Sequence, residues 1–279
     1  MGGDMSFAGG APGGLNYCPC RYGRSRVLFR GPRRPLDLPY LTFLGGSETY
    51  GRFVDLPFPA RVEPQLGLPC VNFGIPNAGL DLYLSDPAVL EAAERAETVV
   101  LQILGAQNMS NRFYSVHPRR NDRFLRGSDR LLALYPEVDF TEFHFNRHML
   151  GRLHDLSPER FAQITAELRL AWVARMKHLL ALLRGRVVLL WVAEHLPPET
   201  PQEGLARDPL FVDRAMLEAL RPRAAALLEV ELSEAARQRD TEGKVFAPLE
   251  AGAAAESLGP LAHAEVAEAL GPVLAALRP

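Results

Sequence analysis

The chain has little cysteine. Cys18, Cys20 and Cys70 are the three in 279 residues, too few for a disulfide framework. Their C-x-C lacks the second pair and the histidines that a zinc site needs, so the thiols read as reduced and no metal is expected. Long apolar runs are missing too. Arg or Lys interrupts each greasy segment short of the ~18 residues that span a bilayer, which excludes a transmembrane helix. The opening stretch "MGGDMSFAGGAPGGLNY" has no basic region followed by an apolar one, so it does not read as a secretory signal, and a cytoplasmic location is expected. Net charge is scarce: 31 basic against 33 acidic residues give -2, which provides no overall pull toward nucleic acid or anionic membrane. The absence of a tandem repeat excludes a solenoid.

What is there is apolar content, 47% of the chain, enough for a sizeable core. Residues 1–15 are Gly-rich and expected to be disordered. Residues 16–37 form a basic arm, "YCPCRYGRSRVLFRGPRRP", with six arginines and no acid in that quoted run. From Leu38 to residue 279 short apolar runs alternate with helical patterns, the signature of a single α/β domain built on a parallel sheet. Strands are predicted at about 39–44, 69–73, 97–104, 186–193 and 226–231. Helices are predicted at about 60–66, 79–84, 86–95, 127–135, 157–184, 211–222 and 261–277. The longest begins with Ser157 as N-cap and Pro158 at the first helical position, then repeats Phe161, Ile164, Leu168, Trp172, Met176, Leu179 and Leu183 as a core stripe. The stretch at about 109–156 departs from the alternation and reads as an Arg-rich insertion or lid.

An open parallel sheet binds ligands beyond the carboxyl ends of its strands, so the loops that follow the strands matter most. They carry Gly45-Gly46-Ser47, then "GIPNAG", then "GAQNMSNR", then Glu194 and His195; His263 comes later, at the start of the last helix. Alone, Ser47 reads as the cap of a short helix beginning at Glu48. Among the other loops it reads as a nucleophile on a strand-to-helix turn, its own amide serving as an oxyanion donor. Backbone amides from Asn77 to Gly79 and the side chain of Asn108 are further donors, and His263 is the candidate base. His195 is expected to be a buried or pocket-lining imidazole.

In this order the blocks resemble the SGNH (GDSL-type) hydrolase superfamily, named for a Ser, a Gly, an Asn and a His. "FLGGSETYG" is similar to the first block, with Gly46 where that family has Asp. "VNFGIPNAG" is similar to the second, whose spacing sets the family glycine at Asn77, with Gly79 two residues on. "GAQN" resembles the third with one extra residue, giving Asn108, and "PLAH" resembles D-x-x-H, with Pro260 in the Asp position and His263 as the histidine. The resemblance implies a flavodoxin-like three-layer sandwich, a five-stranded parallel sheet in the order 2-1-3-4-5 flanked by helices. It implies an esterase or acyltransferase in which Ser47 attacks an acyl ester, His263 relays the proton, and Ser47, Asn77 or Gly79, and Asn108 hold the oxyanion. Glu250, Glu256 and Asp240 stay open as the orienting carboxylate.

Twelve arginines in two clusters are not explained by that resemblance: six in the arm, and Arg112, Arg119, Arg120, Arg123, Arg126 and Arg130. Most read as solvated or paired. Because arginine recognises phosphate, sulfate and carboxylate bidentately, Arg119, Arg120 and Arg123 are candidate anion-binding residues. The expected partner is therefore an anionic small molecule or glycan, with a nucleotide-linked carrier or coenzyme A as a conceivable donor. The alternative reading is a non-hydrolytic transferase or binding protein for a phosphorylated, sulfated or nucleotide-linked ligand. One aromatic pair, Phe113 and Tyr114, falls short of a single-strand stacking platform, and nucleic acid is set aside.

Overall fold

A computed structural model describes residues 13–184, 186–202, 204–205 and 207–278. The expected disorder at the N-terminus concerns residues 1–12 above all, which lie outside the described residues. Among the described residues seven strands follow in chain order: β1 (Leu41–Leu44), β2 (Cys70–Asn72), β3 (Thr98–Gln102), β4 (Tyr114–His117), β5 (Arg120–Gly127), β6 (Arg186–Ala193) and β7 (Ala226–Glu231). Five of them form one parallel sheet in the order β2-β1-β3-β6-β7. The expected order differs only in its numbers, because the antiparallel hairpin β4-β5 intervenes along the chain.

The sheet is buried on both faces, and its side chains sort with a period of two. Leu41, Phe43, Val100, Val188 and Leu190 pack on one side with Phe58, Val62, Val266 and Leu270 from the helices Phe58–Leu66 and Pro260–Ala276. Leu44, Val99, Leu101, Leu189 and Trp191 belong to the other core, which takes in the predicted stripe of the helix Pro158–Leu183. Each fully buried Leu or Phe contributes about 2 kcal/mol relative to exposure. The register sets Phe43 beside Asn72 and Val100, and Val100 beside Val188, so the carboxyl ends of β1, β2, β3 and β6 emerge together at one edge.

Caps fix the ends of these helices. The Ser157 hydroxyl accepts the Arg160 amide at 3.2 Å, as expected of an N-cap. At mid-helix the Trp172 indole donates to the Leu104 carbonyl at 2.8 Å, tying the longest helix to the segment leaving β3. The basic arm lies against the sheet domain: Tyr22 and Phe29 are buried, with their rings 5.1 and 4.9 Å from Phe73. Within 109–156, the hairpin is followed by the helices Asp129–Leu134 and Asn146–Leu156. Among the described residues no helix is long and apolar enough to cross a membrane.

Candidate active site

Gln102, the last residue of β3, shapes the serine turn. Its Oε1 accepts the amide of Gly46 at 2.9 Å, the amide of Thr49 at 3.3 Å and the hydroxyl of Thr49 at 2.6 Å. The turn has room for this clamp because residue 45 lacks a side chain: a Cβ there would lie 2.0 Å from Thr49 Oγ1 and 2.4 Å from Gln102 Oε1. A one-turn helix, Ser47–Tyr50, follows with Gly46 at its N-cap and no side-chain cap. Ser47 is thus inside the helix start, and the capping role open to it in sequence is not the one it fills.

The Ser47 hydroxyl faces the loop after β2. Its Oγ accepts the Asn77 amide at 3.1 Å and lies 3.5 Å from Asn77 Oδ1. Asn77 holds a left-handed backbone, φ 56°, which Asn tolerates better than most residues and which turns its amide onto the serine. Asn108, from the loop after β3, donates through Nδ2 to the Asn77 carbonyl at 3.2 Å, and its Oδ1 accepts from buried Asn146 at 3.1 Å. Three strand ends therefore bring Ser47, Asn77 and Asn108 into one hydrogen-bonded chain. The Gly79 amide is outside it, donating to Asn121 Oδ1 at 2.9 Å. Gly79 serves by its smallness instead: a Cβ there would meet the Asn108 carbonyl oxygen at 1.6 Å, so only glycine lets the two loops approach.

Ser47 opens on a cleft of about 440 Å³, which shares Ser47, Glu48, Asn77, Arg147 and Asp208 with an adjoining one of about 350 Å³. The larger cleft carries four arginines, Arg52, Arg147, Arg207 and Arg239, against four carboxylates, Glu48, Glu194, Asp208 and Glu256. Arg147 pairs with Asp208 at 2.7 Å, Arg52 with Glu250 at 3.1 Å, and Arg239 with Glu256. Burial pushes the Glu48 carboxyl above its ordinary range, opposed by the 2.7 Å hydrogen bond from Gln102 Nε2.

Both candidate histidines line the larger cleft, and they differ in the nitrogen left free. His263 is 1% exposed, stacks on Phe58 and accepts the Phe58 amide on Nδ1 at 3.2 Å. That bond keeps the ring neutral with its proton on Nε2, so no lone pair remains for the serine. Burial, reinforced by Arg30, Arg61 and Lys244, lowers its pKa to about 3. His195 is the reverse case. Its Nδ1 lies 2.7 Å from the Leu196 carbonyl, which accepts a hydrogen bond from the protonated nitrogen, and its buried Nε2 has no partner among the described residues.

Arg119, Arg120 and Arg123 line neither cleft. The hairpin carries them away: Arg119 and Arg120 sit at and beyond its turn, and Arg123 stacks on Phe145 at 4.0 Å. Of the three carboxylates left open as orienting groups, Glu256 lines the cleft but pairs with Arg239, Glu250 pairs with Arg52, and Asp240 caps the Glu242 amide. Gln102, Glu48 and Asn146 were not singled out from sequence. Gln102 had one visible signal, a polar residue interrupting the otherwise apolar run "VVLQIL".

One family model, described as "Domain of unknown function (DUF6473)", matches residues 5–278. No curated protein matches the chain. Among solved structures it is similar to a putative lipolytic protein of the G-D-S-L family from Desulfitobacterium hafniense DCB-2, at 15% identity over 85% of this chain and 99% of that one, TM-score 0.35. It is similar to a catalytic mutant of Axe2, an acetylxylan esterase from Geobacillus stearothermophilus, at 13% identity over 83% and 92%, TM-score 0.39. The third is the lipase Lip_vut3 from a goat rumen metagenome, at 14% identity over 55% of this chain and 63% of that one, TM-score 0.31. At TM-scores this low, none of these likenesses carries an activity to this chain.

Proposed function

The chain belongs to the DUF6473 family, and for it we propose acyl-ester hydrolysis or acyl transfer through Ser47, in the manner of an SGNH hydrolase. The observation that carries the reading is the bond from the Asn77 amide to Ser47 Oγ at 3.1 Å, with Asn108 Nδ2 3.2 Å from the Asn77 carbonyl. These bonds support the reading because the hydroxyl accepts from the loop after β2, which accepts in turn from the Asn108 side chain in the loop after β3.

In this reading Ser47 Oγ attacks the acyl carbon, and the amides of Ser47 and Asn77 with the Asn108 side chain stabilise the oxyanion. The ester C–O bond breaks, the alcohol leaves with the serine's proton, and water or an acceptor hydroxyl resolves the acyl-enzyme. We assign the proton relay to His195, whose Nε2 keeps a lone pair without a partner among the described residues, rather than to His263, whose Nδ1 lone pair accepts the Phe58 amide. With Arg147 paired to Asp208 and Arg239 to Glu256 inside the cleft, it favours a polar but uncharged acyl ester over an anionic one. Turnover of p-nitrophenyl acetate tests the reading. Ser47→Ala is expected to lower it about 10³-fold or more, and a Ser47→Ala protein with wild-type turnover overturns it.

A further inference from the structure

The arginines that the serine cleft does not use have a distribution of their own. Of the twelve in the two clusters, six have an evident partner. Arg30 is buried and donates to the carbonyls of Tyr50, Gly51, Val54 and Asp55. Arg34 pairs with Glu63 and Arg112 with Glu167, while Arg33, Arg123 and Arg130 lie over the rings of Tyr22, Phe145 and Phe113. Arg24 and Arg26 from the arm, and Arg119 from the hairpin turn, make no ion pair among the described residues. Arg119 lies about ninety residues from the other two in sequence, yet all three line one concavity of about 400 Å³.

We propose that this concavity is a binding site for the phosphoryl or sulfuryl group of a small organic ester, held by Arg24, Arg26 and Arg119. Three exposed arginines on the wall of one hollow concentrate positive charge there, and each offers the planar fork that matches a phosphate or sulfate face. The hollow's one carboxylate, Asp86, offsets at most one of the three charges and pairs with none of the arginines. Its Oδ2 accepts the Ser25 hydroxyl at 2.6 Å, and its Oδ1 accepts the amides of Ala88 and Val89 at 3.1 and 3.3 Å. The same bonds fix the stretch of chain that carries two of the arginines. Ser25, 6% exposed, is pinned to Asp86 between Arg24 and Arg26, so the arm meets the ligand already ordered. On the other side His117 Nδ1 accepts the amides of Arg119 and Arg120, both at 3.2 Å, which fixes the hairpin turn. Val27, Leu82, Pro87 and Pro118 complete the wall, an apolar surface for the organic part of an ester, and the volume falls in the range of small-molecule sites. No lining residue is shared with the clefts around Ser47, so the site stands whether or not Ser47 is a nucleophile.

Calorimetric titration of the full chain with inorganic pyrophosphate, sodium sulfate and ADP, at about 0.02 M ionic strength where screening is weak, tests the proposal. Wild type is expected to bind pyrophosphate or ADP with one-site stoichiometry. The double variant Arg24→Ala/Arg119→Ala should bind at least about tenfold more weakly, the scale of losing charge-assisted hydrogen bonds. Arg120→Ala/Arg126→Ala removes the same charge from the hairpin outside the hollow and should leave affinity within about twofold, which separates a site from a general positive field. Tighter binding of ADP than of pyrophosphate assigns the anion to a nucleotide; tighter sulfate assigns it to a sulfate ester. Absence of saturable binding by wild type, or equal weakening in both double variants, overturns the proposal.

Discussion

Replacing His263 with glutamine tests the electrostatic account of the site's buried imidazole. In the folded protein the ring's pKa lies at about 3, against an ordinary 6.5, with burial as the first cause. The sign follows from linkage. Between those two values the unfolded chain binds a proton that the folded chain refuses, so folding stability rises with pH across the window and is lost as pH falls from 6.5 toward 3. At about 1.4 kcal/mol per pH unit, wild type loses about 2 kcal/mol from this residue between pH 7 and pH 5. The glutamine of His263→Gln cannot titrate, yet its side-chain oxygen can still accept the Phe58 amide that His263 Nδ1 accepts at 3.2 Å. The variant's offset at pH 7 reports packing, whereas the pH dependence of the difference between the two proteins reports the imidazole alone. Urea unfolding at pH 5, 6 and 7 measures it, and wild type should lose about 2 kcal/mol more than His263→Gln over that range. Parallel stability curves would refute the buried, uncharged imidazole.

Further expectations concern the loops around the serine. Asn108→Ala removes a side-chain donor and should cut kcat about 10²- to 10³-fold with KM little changed, measured on p-nitrophenyl acetate. Gly79→Ala sets a Cβ against the Asn108 carbonyl oxygen, 1.6 Å away, and must spread the two loops. About 1–3 kcal/mol of stability should be lost in urea unfolding, together with about 10²-fold in turnover from the displaced donors; a fully stable, fully active Gly79→Ala would contradict the close approach.

The fold was legible because its signals are local. Strands β1, β2, β3, β6 and β7 fall within the apolar runs that predicted them, and the long helix starts at its Ser-Pro signal. The hairpin β4-β5 was missed because its second strand, "RNDRFLRG", is short of apolar residues and half exposed, leaving little alternation to detect. Helices Asn146–Leu156 and Ala251–Ala255 were also missed. The first opens without a side-chain cap, and the second is one turn of alanine and glycine. Proximity was legible where residues lie near their own strand end, as Ser47, Asn77 and Asn108 do. It was not legible where the outcome turns on which nitrogen of a ring meets which amide. Nothing near His263 in sequence announces that Phe58, about two hundred residues earlier, occupies its Nδ1. That proximity does not extend to the arginines. Arg119, Arg120 and Arg123 are close in sequence to Asn108, but the hairpin turns them away from the cleft.

The most direct test of the central claim is covalent. After incubation with a fluorophosphonate, peptide mass spectrometry should locate a single phosphonyl adduct on Ser47, formed in wild type and absent from Ser47→Ala. An adduct formed equally in both proteins, or wild type that stays unmodified while it turns over p-nitrophenyl acetate, would contradict the assignment of Ser47 as the nucleophile.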